Sequence, residues 1–126
     1  MIGFRDLKVF QEAFSMSMEI FNLTKRFPAE EKYSLIDQIR RSSRSVTANI
    51  GEAYRNKQYI AHFKSKISDA DMENTETQIW PDYSLACNYI SKEAYEKLLN
   101  QSDKIGRMLN QMIRNAENFT KNSPIN

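Results

Sequence analysis

The sequence predicts an all-α protein, an antiparallel up-down-up-down four-helix bundle. Glycine and proline are scarce, at three residues each, and no alternation of apolar and polar residues persists beyond a few positions. This composition disfavours sheets with many turns and favours long helices. Apolar residues recur at helical spacing along the chain, and short connections are typical of antiparallel neighbours. At 126 residues the chain has the length of one domain. We expect the bundle at residues 1–119 and a frayed tail at 120–126.

The first helix is predicted over residues 5–26, and its apolar stripe is unusually wide. The apolar positions exceed the roughly three in seven of an ordinary surface helix; they are Leu7, Phe10, Ala13, Phe14, Met16, Met18, Ile20, Phe21 and Leu23. Two interpretations stay open. The helix is either central in one bundle, or part of its apolar surface contacts a second subunit. Phe27-Pro28 ends it, because the residue before proline is pushed out of the helical region.

The second helix, from about Ala29 to near Arg55, has two unlike faces. At about 100° per residue, one face collects Leu35, Ile36, Ile39, Val46, Ile50 and Tyr54. Arg41, Arg44 and Arg55 lie nearly opposite, with Arg40 at the flank of the same arc. Small residues between the faces would admit another helix backbone, and such packing could offset the roughly 1 kcal/mol that Gly51 costs inside a helix.

The third helix begins near Tyr59 and is predicted to run, kinked, through Pro81. Its expected core positions grow polar toward the end: Tyr59, Ile60, Phe63, Ile67, Ala70, Asn74 and Thr77. On the opposite face, Asp69, Glu73 and Glu76 form an acidic stripe at spacings of four and three. Proline disturbs a helix, but apolar spacing resumes up to Ile90 without loop-forming residues. We therefore predict one kinked helix.

The fourth helix is predicted to begin after Ser91, which suits an N-cap, with Glu93 in the first turn. A regular apolar seam then runs from Tyr95 to Phe119.

No constellation of residues indicates catalysis, a metal or a cofactor. The single histidine, His62, lacks the Glu-x-x-His spacing of a di-metal bundle, and we interpret it as a surface or boundary residue. Cys87 has no second cysteine for a disulfide or a CxxC site, and no evident base activates it. The three glycines are isolated, so a phosphate loop is not expected. Glu52, among the arginines, is interpreted as an ion-pair partner. We predict no enzyme.

Charge and hydropathy limit the possible partners. Charged residues make up 27% of the chain but leave a formal net charge of only +2, so only a local concentration of cations could attract nucleic acid. The N-terminal MIGFRDLKVFQ lacks the apolar core of a signal peptide, and no window approaches the roughly 18 apolar residues of a membrane span. We expect a cytoplasmic protein without a membrane span.

The arginines of the second helix leave three interpretations open. They could be solvated, pair with the acidic stripe, or bind phosphate oxygens, which guanidinium forks match in a bidentate manner. In a ring, each subunit would repeat the stripe and enlarge the basic surface. The leading hypothesis is a non-enzymatic homo-oligomer that binds RNA or another nucleic acid through the stripe. The alternative is a structural or scaffolding protein that docks a protein partner.

Several short motifs, taken in order and at their separations, resemble a known bacterial family. They are Phe4-Arg5-Asp6-Leu7, Phe27-Pro28, Gln38-Ile39-Arg40-Arg41-Ser42, Ala48-Asn49-Ile50 with Glu52, and Glu76-Thr77-Gln78 before Trp80. This combination is similar to the bacterial four-helix bundle protein family, also known as the S23 or 23S rRNA intervening-sequence protein family. The resemblance covers nearly the whole chain.

The resemblance implies an antiparallel bundle that assembles as a homopentameric ring, with genes often found inside ribosomal RNA intervening sequences and mostly without an assigned activity. It also implies a relation to accessory proteins of diversity-generating retroelements, whose basic surface binds nucleic acid and the reverse transcriptase. On this basis Arg40, Arg41, Arg44 and Arg55 are the nucleic-acid candidates, whereas Asn49 and Glu52 fix helix packing. Pro81 departs from the family pattern, which usually has an apolar helix former after the tryptophan.

Overall fold

The computed structural model describes residues 3–120, and the four long helices in this range pack as a bundle. The helices are α1 (Lys8–Thr24), α2 (Leu35–Arg55), α3 (Ile60–Ala86), α4 (Lys92–Arg114) and the short α5 (Ala116–Thr120), with single 3-10 turns at Phe4–Asp6 and Ala29–Glu31. α1 and α3 each pack on α2 and α4, and lie diagonally with no Cα atoms within 8 Å of each other. The four-helix bundle is therefore confirmed. Of the predicted tail at 120–126, residues 121–126 lie outside the described range.

Aliphatic and aromatic side chains from all four long helices fill the core. Those with at most 2% of their surface exposed include Met16, Ile20, Ile39, Val46, Ile50, Phe63, Ile67, Ile105 and Leu109. Tyr59 and Ile60, predicted as core positions, are exposed. This prediction was wrong because Tyr59 is the N-cap of α3 and Ile60 its first residue, so both lie at the open end of the helix.

The polar half of α3 is buried and hydrogen-bonded. The Asn74 side chain donates from Nδ2 to the Ser102 carbonyl at 2.9 Å and accepts from Ser102 Oγ at 2.9 Å. Thr77 Oγ1 donates to Ser42 Oγ on α2 at 2.9 Å. These bonds satisfy side chains that burial would otherwise penalise, and they join α3 to both of its neighbours.

α2 begins at Leu35 rather than at the predicted Ala29. Residues Ala29–Glu31 form only one 3-10 turn, and Ser34 leaves helical geometry with φ −122° and ψ −99°. The Glu31 carboxylate accepts hydrogen bonds from Ser34 Oγ at 2.6 Å and Tyr89 Oη at 2.8 Å. The Ser34 bond, followed by that from Tyr89, lowers the pKa of Glu31. Glu31, one of the acidic residues expected to begin a helix, instead ties this turn to the α3–α4 connection.

α3 is one helix through the buried Pro81, as predicted, and the kink stays a prediction. It ends at Ala86, not at Ile90. Asn88 adopts a left-handed conformation with φ 62°, and its N–H bonds to the Leu85 carbonyl at 2.9 Å. The Tyr89 N–H bonds to the Ser84 carbonyl at 2.8 Å. This pair of bonds is a Schellman motif, which terminates a helix with asparagine in place of the usual glycine.

α4 begins as predicted and ends early. Ser91 is its N-cap, and its Oγ accepts from the Ala94 N–H at 3.0 Å. At Asn115 the backbone, with φ −108° and ψ 29°, leaves the helix, so the single helix predicted through Phe119 is two. The break turns α5 toward α3, where the Phe119 ring stacks on Phe63 with centroids 5.7 Å apart.

Candidate nucleic-acid interface

The outward face of α2 carries three exposed arginines, as its spacing predicts. Ile39, Val46 and Ile50 are buried against the other helices, and this fixes the opposite face toward solvent. Arg41, Arg44 and Arg55 are exposed there. Since a helix rises about 1.5 Å per residue, Arg44 and Arg55 lie on one side about 16 Å apart. Cations at this separation can contact phosphates several nucleotides apart.

Arg40 lies differently from the other three arginines. It is half-buried, its Nε donates to Thr24 Oγ1 at 2.8 Å, and its guanidinium lies 4.6 Å from the centroid of the Phe21 ring. Arg40 therefore joins α2 to the end of α1. Helical spacing places Arg40 at the flank of the arginine face of α2. Its partners, Thr24 and Phe21, lie on α1 and could not be predicted from the sequence of α2.

Three cations surround the Phe21 ring. Besides Arg40, Lys25 Nζ lies 4.8 Å and the Arg44 guanidinium 5.7 Å from its centroid. A cation–π contact at an exposed site is worth about 0.5–1 kcal/mol. Within residues 3–120 none of the three makes an ion pair with a carboxylate. The helical spacing of α2 does not indicate the contribution of α1, Phe21 and Lys25, to this basic region.

The arginine stripe does not pair with the acidic stripe of α3. Among the described residues, the ion pair of Arg41 is with Asp37, one turn earlier at 3.7 Å, and its side chain is 73% exposed. Burial is the main cause that raises the pKa of Glu73; Glu76 and Asp69 raise it further, whereas Arg41 lowers it. Arg41 thus acts on the acidic stripe through space, without a salt bridge. Glu52 is an ion-pair partner as predicted, but of Lys66, at 2.8 Å.

A shallow groove lies beside Arg55 at the α1–α2 seam. Its lining combines aromatic, small and polar residues: Phe4, Phe10, Thr47, Ala48, Gly51, Glu52, Arg55 and Asn56. A Cβ atom at Gly51 would lie 3.6 Å from the Phe4 ring, an ordinary van der Waals distance. The close helix packing expected to require glycine here is therefore not found within the described bundle.

Gly51→Ala should raise the free energy of unfolding by about 0.5–1 kcal/mol, because alanine restricts the unfolded chain and favours helix. Urea denaturation of both proteins at equal concentration measures the change. The comparison variant is Gly106→Ala, where the added Cβ would lie 3.4 Å from Asn74 Nδ2 and a smaller gain is expected. A loss of stability in Gly51→Ala would contradict the prediction.

The remaining chemical groups do not form a site in the part of the chain that the structure describes. His62 is exposed, as predicted, and Cys87 is also exposed with a free thiol. Residues 3–120 contain no group of three or more His, Cys, Asp or Glu side chains that could hold a metal ion. None of the helices in this range is long and apolar enough to cross a membrane.

Comparisons with known proteins connect this geometry to a family. The family model described as 23S rRNA-intervening sequence protein matches residues 5–111. A solved structure similar to the chain is a protein of unknown function from the S23 ribosomal protein family of Bacteroides thetaiotaomicron VPI-5482. It is 34% identical, with a TM-score of 0.77, and the match covers 84% of this chain and 95% of that chain. No curated protein matches the chain. The relation to retroelement accessory proteins stays a prediction. The motifs, the bundle and the matched range together show that the chain belongs to the 23S rRNA-intervening sequence protein family.

Proposed function

We propose that this protein is a non-enzymatic, cytoplasmic homo-oligomer that binds RNA or another nucleic acid through the outward face of α2. One observation carries the proposal: Arg41, Arg44 and Arg55 are exposed on a single helix face, and among residues 3–120 the only carboxylate paired with them is Asp37. Guanidinium groups in a line suit the regularly spaced phosphates of a backbone. The family description, which names a ribosomal RNA sequence, agrees in chemistry with this surface.

The four candidate arginines have different parts in this proposal. Arg41, Arg44 and Arg55 contact phosphate directly. Arg40 donates from Nε to Thr24 Oγ1. This bond holds the end of α1 beside α2, where Lys25 adds its charge next to Arg44. The pentamer implied by the resemblance would repeat this surface five times. The net charge of +2 is then no obstacle, because local charge governs the encounter with a polyanion.

The scaffold alternative has less support. It assigns the arginines to pairing with Asp69, Glu73 and Glu76, and the structure has no ion pair between the two stripes within 4 Å among the described residues. A protein partner for the acidic side is still compatible with the geometry, but nothing about the arginine face favours it.

Titration of the protein into labelled RNA at several salt concentrations tests the proposal. We expect fluorescence anisotropy to show binding to a structured RNA and to a matched duplex DNA, with affinity falling linearly in log salt. Each phosphate contact contributes about 0.7–0.9 to the slope, so three arginines per subunit predict a slope of about 2–3 for each subunit engaged. Absence of binding at about 50 mM salt, where such contacts are strong, would contradict the proposal and favour the scaffold.

A further inference from the structure

The shallow groove at the α1–α2 seam lies along the arginine face of α2. Ala48 and Gly51 form part of its wall. They follow Arg44 and precede Arg55 along the helix, and at about 100° per residue all four fall within about 60° of arc. A phosphate backbone that contacts both arginines, about 16 Å apart, therefore passes alongside the groove.

Aromatic rings line the α1 side of the groove. Phe4 and Phe10 are half-buried, with ring centroids 5.1 Å apart in an edge-to-face arrangement. The Arg5 guanidinium lies 4.6 Å from the Phe4 centroid, and it makes no ion pair within residues 3–120. Unpaired bases stack on aromatic side chains, and a neighbouring arginine adds cation–π attraction. The groove therefore combines a surface for a base with cations for the adjoining phosphates.

Gly51 keeps the groove open at a position where the packing of the bundle does not require glycine. A Cβ atom there would meet the Phe4 ring at 3.6 Å, an ordinary contact, yet glycine is one of the weakest helix formers. Because Gly51 lines the groove, a longer side chain at this position would project into it. The space is about 420 Å³, within the range of small-molecule pockets, and it admits a flat ring of the size of a base.

The charges around the groove favour a nucleic acid as its occupant. Arg55 lines the groove, Arg5 covers part of the Phe4 ring, and both arginines are exposed. Glu52 also lines the groove, but its carboxylate pairs with Lys66 Nζ at 2.8 Å, which offsets its charge. An uncharged apolar ligand would leave the arginines without a partner. A nucleotide supplies an aromatic ring and an anion at neighbouring positions, as the groove and its arginines require.

We propose that the groove holds an unpaired base of a single-stranded nucleic acid whose phosphates contact Arg44 and Arg55. The proposal rests on the proposed function and adds a preference for single strands. A duplex reaches the arginines through its phosphates, but its bases are paired and stacked on one another, so it gains nothing from Phe4 and Phe10. Stacking of one base on an aromatic side chain changes affinity by about fivefold to a hundredfold and tolerates any sequence, since every base has an aromatic face.

Two variants that leave the net charge unchanged test the proposal. Phe4→Leu removes an aromatic face, and Gly51→Leu fills the space. Anisotropy is measured with a labelled, unstructured single-stranded RNA and with a duplex of the same sequence. Each variant should lose at least about fivefold in affinity for the single strand and keep its affinity for the duplex. Tyr33→Leu, which removes an exposed aromatic ring outside the groove, should bind both nucleic acids like the wild type.

Salt separates stacking from phosphate contacts in the same titrations. The slope of log affinity against log salt should be equal in the wild type and the two groove variants, because stacking releases no counterions. For the wild type, the preference for the single strand over the duplex should grow as salt rises and the phosphate contribution weakens.

Two results would overturn the proposal and leave the proposed function intact. They are unchanged affinity of both folded variants for the single strand, and equal losses for the single strand and the duplex. If the wild type bound neither nucleic acid, the proposed function would fail, and the assignment of the groove with it. Circular dichroism checks the fold, and Ala48→Leu, which fills the groove from an exposed position, replaces either variant that unfolds.

Discussion

Reversal of Arg41, Arg44 and Arg55 to glutamate should weaken RNA binding by about a hundredfold. An exposed charge pair is worth up to about 1 kcal/mol. Loss of three phosphate contacts therefore costs up to about 3 kcal/mol, or roughly a hundredfold in affinity. The new carboxylates add repulsion. The slope of log affinity against log salt should fall as well, by about 0.7–0.9 for each contact removed. The fold should survive, because all three side chains are exposed. Anisotropy measures the affinity, and circular dichroism checks the fold.

A matched variant separates the arginine stripe from the charge of the whole chain. Lys64, Lys92 and Arg107 are also exposed but lie on α3 and α4, away from the stripe. Their replacement by glutamate changes the net charge by the same amount, from +2 to −4, since each of three substitutions subtracts two. We expect this variant to lose much less affinity than the stripe variant. Equal losses would show that only overall charge matters and would disprove the assignment to α2.

Phe63→Ala should lower the free energy of unfolding by about 3–5 kcal/mol, the range for truncation of a buried phenylalanine. Phe63 has no exposed surface and stacks on Phe119. The substitution therefore leaves a cavity at the point where α5 folds back on α3. Guanidinium chloride denaturation measures the loss, with an m-value close to that of the wild type.

Tyr33→Ala is the control for this truncation. Tyr33 is 85% exposed, and substitutions of exposed residues usually change stability by no more than about 0.5 kcal/mol. Both variants are compared at the same protein concentration, since self-association would add to apparent stability. If Phe63→Ala lost less than about 1 kcal/mol, the core around α5 would be looser than the structure shows.

Hydrophobic spacing predicted the helices well and their ends poorly. Ile39, Val46 and Ile50 were placed on the buried face of α2 because periodicity reports directly which side of a helix avoids water. The ends depended on contacts that spacing does not contain. The residues before α2 form a separate 3-10 turn, in which the Glu31 carboxylate accepts a hydrogen bond from Tyr89, far along the chain. The break before α5 allows an aromatic contact with another helix.

The candidate interface was predictable only in part for a similar reason. The outward direction of Arg41, Arg44 and Arg55 follows from the helical period alone. The anchoring of Arg40 on Thr24 and the cations around Phe21 require knowledge of which turn of α1 packs beside which turn of α2. The partner of Glu52 was likewise unpredictable, because Lys66 lies on another helix. A single helix pattern shows where a side chain points but not what it meets.

The order of the helices around the bundle has a consequence for how the molecule opens. Three of the four lateral contacts join helices that are consecutive in the chain, and α1 with α4 is the exception. The contact between α1 and α4 closes the longest loop of the chain. Its exposed ion pairs, Glu19 with Lys97 and Glu12 with Lys104, contribute little to stability. A contact between distant parts of the chain costs more conformational entropy to form than a contact between neighbouring helices, because it closes a longer loop. We therefore expect the lowest-energy partial unfolding to separate α1 from α4 while the three hairpins stay paired.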